Sequence, residues 1–319
     1  MAQKKRENLP AQKYTHSQPT ELRLAFELTG GATRYLDLAA ALSAVNRKFI
    51  SQQAYFYVSK IECYNSSDFL VDIHTLPDTW TVKNAYRRGR ALYDANRALL
   101  NPPVTGGLEA KYEDFKIFMS NRHATEGLSI LPAGYEINQA AVNIQADSWQ
   151  YSQLVSADDD GDANQNSDKF TLHMIGDHNG SSDNWSSVGL VKSYEQSRVT
   201  VHDSSPNTAN VSISDPLMNL HDNSSEEQIN ELATLAMQEN AQPPYDSDKY
   251  FGHGNASMVQ RARLVTTSSL GRIAMAPGFC APFGLVCVDP SPGTSSSDNY
   301  RIVVTMAPGP YHGVYAERV

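Results

Sequence analysis

Glu21-Leu22-Arg23-Leu24-Ala25-Phe26-Glu27-Leu28 alternates its side chains with a period of two. In an extended chain Leu22, Leu24, Phe26 and Leu28 share one face. Glu21, Arg23, Ala25 and Glu27 share the other, the pattern of a strand that buries one side. Gly30-Gly31 ends the run. Working outward, further strand patterns lie at 54–63 and at 69–75, where Phe69, Val71, Ile73 and Thr75 fall on one face. Others follow at 148–155, 169–175, 188–194, 198–202, 258–266, 283–288 and 300–306. About ten short strands between Gly, Pro, Asn, Ser and Asp clusters predict an all-β sandwich or barrel, not a βαβ repeat.

Two helical patterns interrupt the strands. The first covers about 80–100, with Asp78 or Thr79 as cap, and its apolar arc runs through Val82, Ala85, Tyr86, Gly89, Leu92 and Tyr93. Arg87, Arg90, Asp94 and Arg97 lie opposite, with Arg88 at the flank. The second covers about 226–239 and opens on Ser224 with Glu227, a capping-box pair. Residues 1–19 are polar and without periodicity, and read as a flexible, mildly basic arm before one elaborated domain, 20–319.

The 319 residues are 40% hydrophobic and 19% charged, values of a folded globular chain. No stretch approaches the roughly 20 apolar residues of a membrane span. No apolar core follows Lys4-Lys5-Arg6, and three cysteines (Cys63, Cys280, Cys287) do not make a disulfide framework, so a reducing compartment is expected. The net charge of −9 is unevenly held. Residues 1–60 carry +5, 61–125 carry 0, 126–260 carry −16 and 261–319 carry +2. Such segregation predicts two electrostatically distinct faces.

Signatures of catalysis are missing: no nucleophile elbow, P-loop or HExxH occurs, and Gly252-His253-Gly254 lacks the third glycine and the βαβ context of a dinucleotide loop. His173 and His178 form no compact ligand set, and the acidic run 157–168 lacks the Gly and Glu positions of an EF-hand. No metal and no cofactor are expected. Basic groups remain. Lys4, Lys5, Arg6 and Lys13 on the arm, and Arg87, Arg88 and Arg90 on the first helix, are candidates to neutralise phosphates without sequence preference. The alternative for the helix is an ordinary solvated face, with Arg90 and Arg97 paired to Asp94.

Three stretches, taken together, resemble the capsid proteins of small circular Rep-encoding single-stranded DNA viruses. They are Leu76-Pro77-Asp78-Thr79-Trp80-Thr81-Val82-Lys83-Asn84-Ala85-Tyr86-Arg87-Arg88-Gly89, then Glu239 to Asp246 with Tyr250 and Gly252, then Phe279-Cys280-Ala281-Pro282-Phe283-Gly284-Leu285. The resemblance runs from about residue 20 to about 310. It implies a single jelly roll, an eight-stranded antiparallel β-sandwich with long loops carrying one or two helices. It also implies a non-enzymatic coat protein, made in the host cytoplasm, with the nucleus as a candidate place of assembly. Copies would self-associate into a small icosahedral virion around single-stranded DNA held weakly and non-specifically, with no membrane insertion and the host receptor unspecified.

On this reading Pro243, Pro244, Tyr245, Asp246, Pro282 and Phe283 are candidates for the subunit interface, with intramolecular turns fixed by proline as the equal alternative. Many such capsids have a long Arg/Lys-rich arm. Here the arm holds four basic residues, which limits what it can neutralise alone. The rival is a glycan-binding sandwich module using surface aromatics near Trp149 and Trp185. A cupin-type metalloenzyme would need a His/Glu cluster that the sequence does not offer.

Overall fold

The computed structural model describes residues 21–65, 68–100, 114–127, 129–135, 141–144, 149–156, 168–181, 184–199, 250–255, 257–267, 272–290, 299–307 and 314–318. The chain opens with β1 (Arg23–Thr29), β2 (Arg34–Asp37), α1 (Leu38–Asn46), β3 (Ala54–Tyr64) and β4 (Phe69–Thr75). A long excursion follows: α2 (Trp80–Leu100), β5 (Phe118–Ser120), α3 (Asn121–Glu126), β6 (Ser129–Ile130), β7 (Ala133–Tyr135), β8 (Ala141–Asn143) and β9 (Gln153–Ser156). It continues through β10 (Asp168–Ile175), β11 (Asn179–Ser181), β12 (Asn184–Gly189) and α4 (Leu190–Val199). β13 (Val259–Thr266), β14 (Ile273–Pro282), β15 (Leu285–Pro290), β16 (Asn299–Met306) and β17 (Val314–Arg318) complete the chain.

The architecture is all-β and layered. Sheet A has the antiparallel order β1-β16-β3-β14, with β17 also against β3. Sheet B has the antiparallel order β13-β4-β15-β2, extended by the parallel β6. Sheet C, built within the excursion, is mixed: β10 runs parallel to β12 and β5 but antiparallel to β9.

Alternation explains how sheets A and B meet. Leu24, Phe26 and Leu28 of β1, Ile302 and Val304 of β16, and Phe56, Val58 and Ile61 of β3 turn inward. They face Leu36, Val71, Ile73, Val286 and Val288 of sheet B, and every one of these side chains is buried. The other face of sheet B is covered too. Tyr35, Leu285 and Cys287 enter a second core with Val82, Tyr86 and Tyr93 of α2, Leu172 and Met174 of β10, and Leu190 and Val191 of α4. A strand buried on both faces reads as a continuous apolar run, as Leu285-Val286-Cys287-Val288 does.

Several expectations change. The 188–194 pattern is the end of β12 followed by the first turns of α4, and 198–199 closes that helix instead of opening a strand. Of 148–155, the strand begins only at Gln153. Phe283 and Gly284 form the β14–β15 turn, with φ of 59° and 71°, so the strand expected at 283 begins at Leu285. Ten elements went unexpected: β2, α1, β5, α3, β6, β7, β8, β11, β14 and β17. The arm 1–19, the acidic run 157–167 and the helix expected at 226–239 lie outside the described residues.

Candidate nucleic-acid and subunit interfaces

Helix α2 starts where Thr79 Oγ1 accepts from Val82 N at 3.3 Å, which settles the cap between Asp78 and Thr79. Val82, Ala85, Tyr86 and Tyr93 are buried as the arc predicts, whereas Leu92 is exposed. Gly89 is required by a neighbour: a Cβ there would lie 2.7 Å from Leu190 Cδ2 of α4. Arg87 and Arg88 are exposed and form no ion pair among the described residues. Arg90 is different. It lies 3.5 Å from both Asp94 and Asp114, the intramolecular pairing given as the alternative to phosphate contact.

α2 stacks Tyr86 on Phe283 at a centroid distance of 4.4 Å, on the sheet B side of the molecule. The basic arm enters in sequence at β1, on sheet A. The first core and the whole of sheet B lie between α2 and β1. Lys4, Lys5, Arg6 and Lys13 themselves fall outside the described residues.

The proposed interface segments also divide. Pro243, Pro244, Tyr245 and Asp246 fall outside the described residues. Pro282 and Phe283 are buried, Phe283 within the second core, so they serve an internal turn rather than a contact surface. For Pro282 and Phe283 the turn alternative applies.

Sequence reasoning missed β14, and with it the most exposed apolar side chains among the described residues. Ile273 is 56% and Met275 62% exposed, and Pro277 follows on the same side of the strand. Among the described residues β14 is one of the two edge strands of sheet A, β1 being the other. Pro277 and Gly278, both turn signals, hid it. The outward grid of sheet A is legible only from register. One row runs Glu27, Arg301, Tyr64, Ile273; the next runs Ala25, Val303, Glu62, Met275; the third runs Arg23, Thr305, Lys60, Pro277. Glu62, almost buried, is met by Arg23 at 3.3 Å and Lys60 at 3.1 Å, and Glu27 pairs with Arg301.

Polar side chains inside the molecule are tied into structure. Asp37 caps α1, taking Ala40 N at 3.0 Å, Gln52 Nε2 at 3.2 Å, Trp149 Nε1 at 3.0 Å and the Tyr151 hydroxyl at 3.3 Å. Burial pushes its carboxyl up to about 6, against the pull of these donors. Trp149 is thereby tied to the end of α1 through its indole N–H. His123 stacks on Tyr35 and accepts from Met119 N at its Nδ1, so its Nε2 carries the proton and donates to Ser129 Oγ. Burial lowers it to about 3. His173 is likewise lowered to about 4, its Nε2 donating to the Asp177 carbonyl and its Nδ1 accepting from Ser187. Among the described residues no group of three His, Cys, Asp or Glu is placed to hold a metal. Burial pushes the Cys63 and Cys287 thiols up to about 12, which leaves them inert.

Comparison with protein-family models, with curated proteins and with solved structures returned no match.

Proposed function

We propose that this chain is a coat subunit that associates with copies of itself to enclose single-stranded DNA. The observation that carries the reading is the apolar row of β14, an open edge strand with Ile273 and Met275 more than half exposed. Single exposed apolar residues are ordinary; a row of them on an unpaired edge is a contact surface. The occupant is a second copy. Residues 261–319, which hold β14, carry +2 while residues 126–260 hold −16, so the two segments are opposite in sign. Pro277 interrupts the edge hydrogen bonding, which favours contact through side chains over strand addition.

The fold proposed for the subunit is a single jelly roll. What supports it is the pairing order of eight strands. Counting β1–β4 and β13–β16 as one to eight, sheet A runs 1-8-3-6 and sheet B runs 5-4-7-2. This is the order in which an eight-stranded hairpin folds over on itself to form two facing sheets. The excursion from α2 to α4 is then an insertion between the fourth and fifth strands, seated on the outer face of sheet B. Sheet A, where the basic arm joins, is the face toward the genome in this reading. Heterologous contacts repeated by symmetry close such subunits into a shell.

The test is direct. The purified chain is run on size-exclusion chromatography and its leading peak is imaged by negative stain. Particles of uniform diameter are expected. A single species near the 35.1 kDa of the subunit across salt and pH overturns the reading.

A further inference from the structure

At one end of sheet A the outward row of Arg301 and Tyr64 borders an open, shallow cleft of about 500 Å³, lined also by Asn65, Arg272 and Asn299. Its floor is set by register. Glu27, Arg301, Tyr64 and Ile273 sit directly opposite one another on four neighbouring strands. With strands about 4.8 Å apart, that row spans roughly 14 Å. Arg272 is exposed and has no ion pair among the described residues, and its carbonyl, not its side chain, takes the hydrogen bond from Asn65 N. Tyr64 is half-buried, with its neighbour Arg301 already paired to Glu27.

The chemistry of the cleft favours an anion with a flat apolar part. Counting the outward face of sheet A together with its rim, Arg23, Lys60, Arg272 and Arg301 are opposed by Glu27 and Glu62, which leaves it positive. Both acids are spent on Arg23, Lys60 and Arg301, so Arg272 is the cation left to meet a ligand. A volume of this size is that of a small-ligand site. A half-exposed tyrosine beside a guanidinium that has no ion pair among the described residues offers a base a surface to stack on and a phosphate a partner.

We propose that this cleft takes one nucleotide of a single-stranded nucleic acid, with the phosphate on Arg272 and the base against Tyr64. The inference rests on the coat reading for why such a strand would lie along sheet A. It is otherwise independent of α2. Binding of this kind tolerates any base, because every base has a stacking face. Arg87 and Arg88, across the molecule, take no part in it.

Anisotropy of a short fluorescein-labelled oligodeoxythymidylate, titrated with the full chain, tests the site. Tyr64→Leu weakens oligonucleotide binding about tenfold, the loss of one stacked base. Dextran sulfate, a polyanion without bases, binds that variant as it binds the wild type. Arg272→Ala weakens both ligands and lowers the salt slope of oligonucleotide binding by about one. Equal affinity of wild type and Tyr64→Leu for the oligonucleotide overturns the proposal, as does an equal loss for the oligonucleotide and dextran sulfate. Matching thermal melts show that the variants fold. Negative stain of the same samples separates the two readings. Particles with no effect of Tyr64→Leu sink the cleft alone, and an absence of particles sinks the coat reading whatever the oligonucleotide does.

Discussion

Sheet B divides two cores that were assembled by different rules. On one side it meets sheet A through strands that alternate, apolar in and polar out, with partners close to the chain ends and an all-antiparallel ladder. On the other side it meets the excursion, where helices, short strands and a mixed sheet lean on Tyr35, Phe283, Leu285 and Cys287. The first core closes between two sheets that each supply half of it. The second exists only because sheet B offers its outer face. The excursion is therefore a dependent layer, and its loss leaves the sandwich standing while the reverse does not hold.

The largest test of that asymmetry pairs two truncations. Phe56→Ala in the first core and Tyr86→Ala in the second each remove a fully buried ring, at a cost of about 3–5 kcal/mol. Their hydrogen-exchange patterns differ. Phe56→Ala deprotects both sandwich sheets and the excursion together. Tyr86→Ala deprotects α2, β10 and α4 while the amides of β1, β3 and β16 keep their protection. Equal loss everywhere in Tyr86→Ala contradicts the account.

Next in size is the tie between the layers. Asp37 accepts from Trp149 and Tyr151 of the excursion and from Gln52 and Ala40 of the sandwich side, so Asp37→Asn costs about 1–3 kcal/mol at neutral pH. The pH dependence has a definite sign. Burial raises the Asp37 carboxyl from 3.8 to about 6, so between these values the folded chain binds the extra proton and this group adds stability as pH falls. His123 and His173, lowered to about 3 and about 4 from 6.5, act oppositely: the unfolded chain protonates first, and stability falls below pH 6.5. Two histidines outweigh one carboxyl. The wild type loses stability on acidification toward pH 4, and Asp37→Asn loses it more steeply by up to about 1.4 kcal/mol per pH unit. Urea denaturation at a series of pH values reads both slopes; parallel slopes contradict the tie.

The same contrast explains what the sequence disclosed. β1, β4 and β16 announce themselves because one face is wet, and alternation marks a half-wet strand. α1 does not, because Leu38-Ala39-Ala40-Ala41-Leu42 is buried all round and shows no polar face. α4 reads as a strand because Val188, Leu190 and Val191 cluster where β12 runs straight into the helix. The candidate sites were less legible. Nothing in the residue types separates an exposed Met275 from a core methionine. Tyr64, Arg272 and Arg301 come together only through the pairing of strands far apart in the chain.

The smallest expected effect sharpens the division of the surface. Arg87→Ala combined with Arg88→Ala changes stability by less than about 0.5 kcal/mol, since both are solvated. It also leaves the 260/280 nm absorbance ratio of purified particles unchanged, whereas deletion of residues 1–19, which precede β1 in sequence, lowers it. A lowered ratio in the arginine variant would place the genome against the excursion instead.

The edge of sheet A carries the central claim, and one measurement reaches it. Sedimentation velocity compares the wild-type chain with Met275→Asp at matched concentration and salt. The account predicts fast, uniform particles for the wild type and, for the variant, a folded species near 35.1 kDa, because a carboxylate at this 62% exposed position breaks the contact without entering the core. Particles of the same sedimentation coefficient from both chains would contradict it.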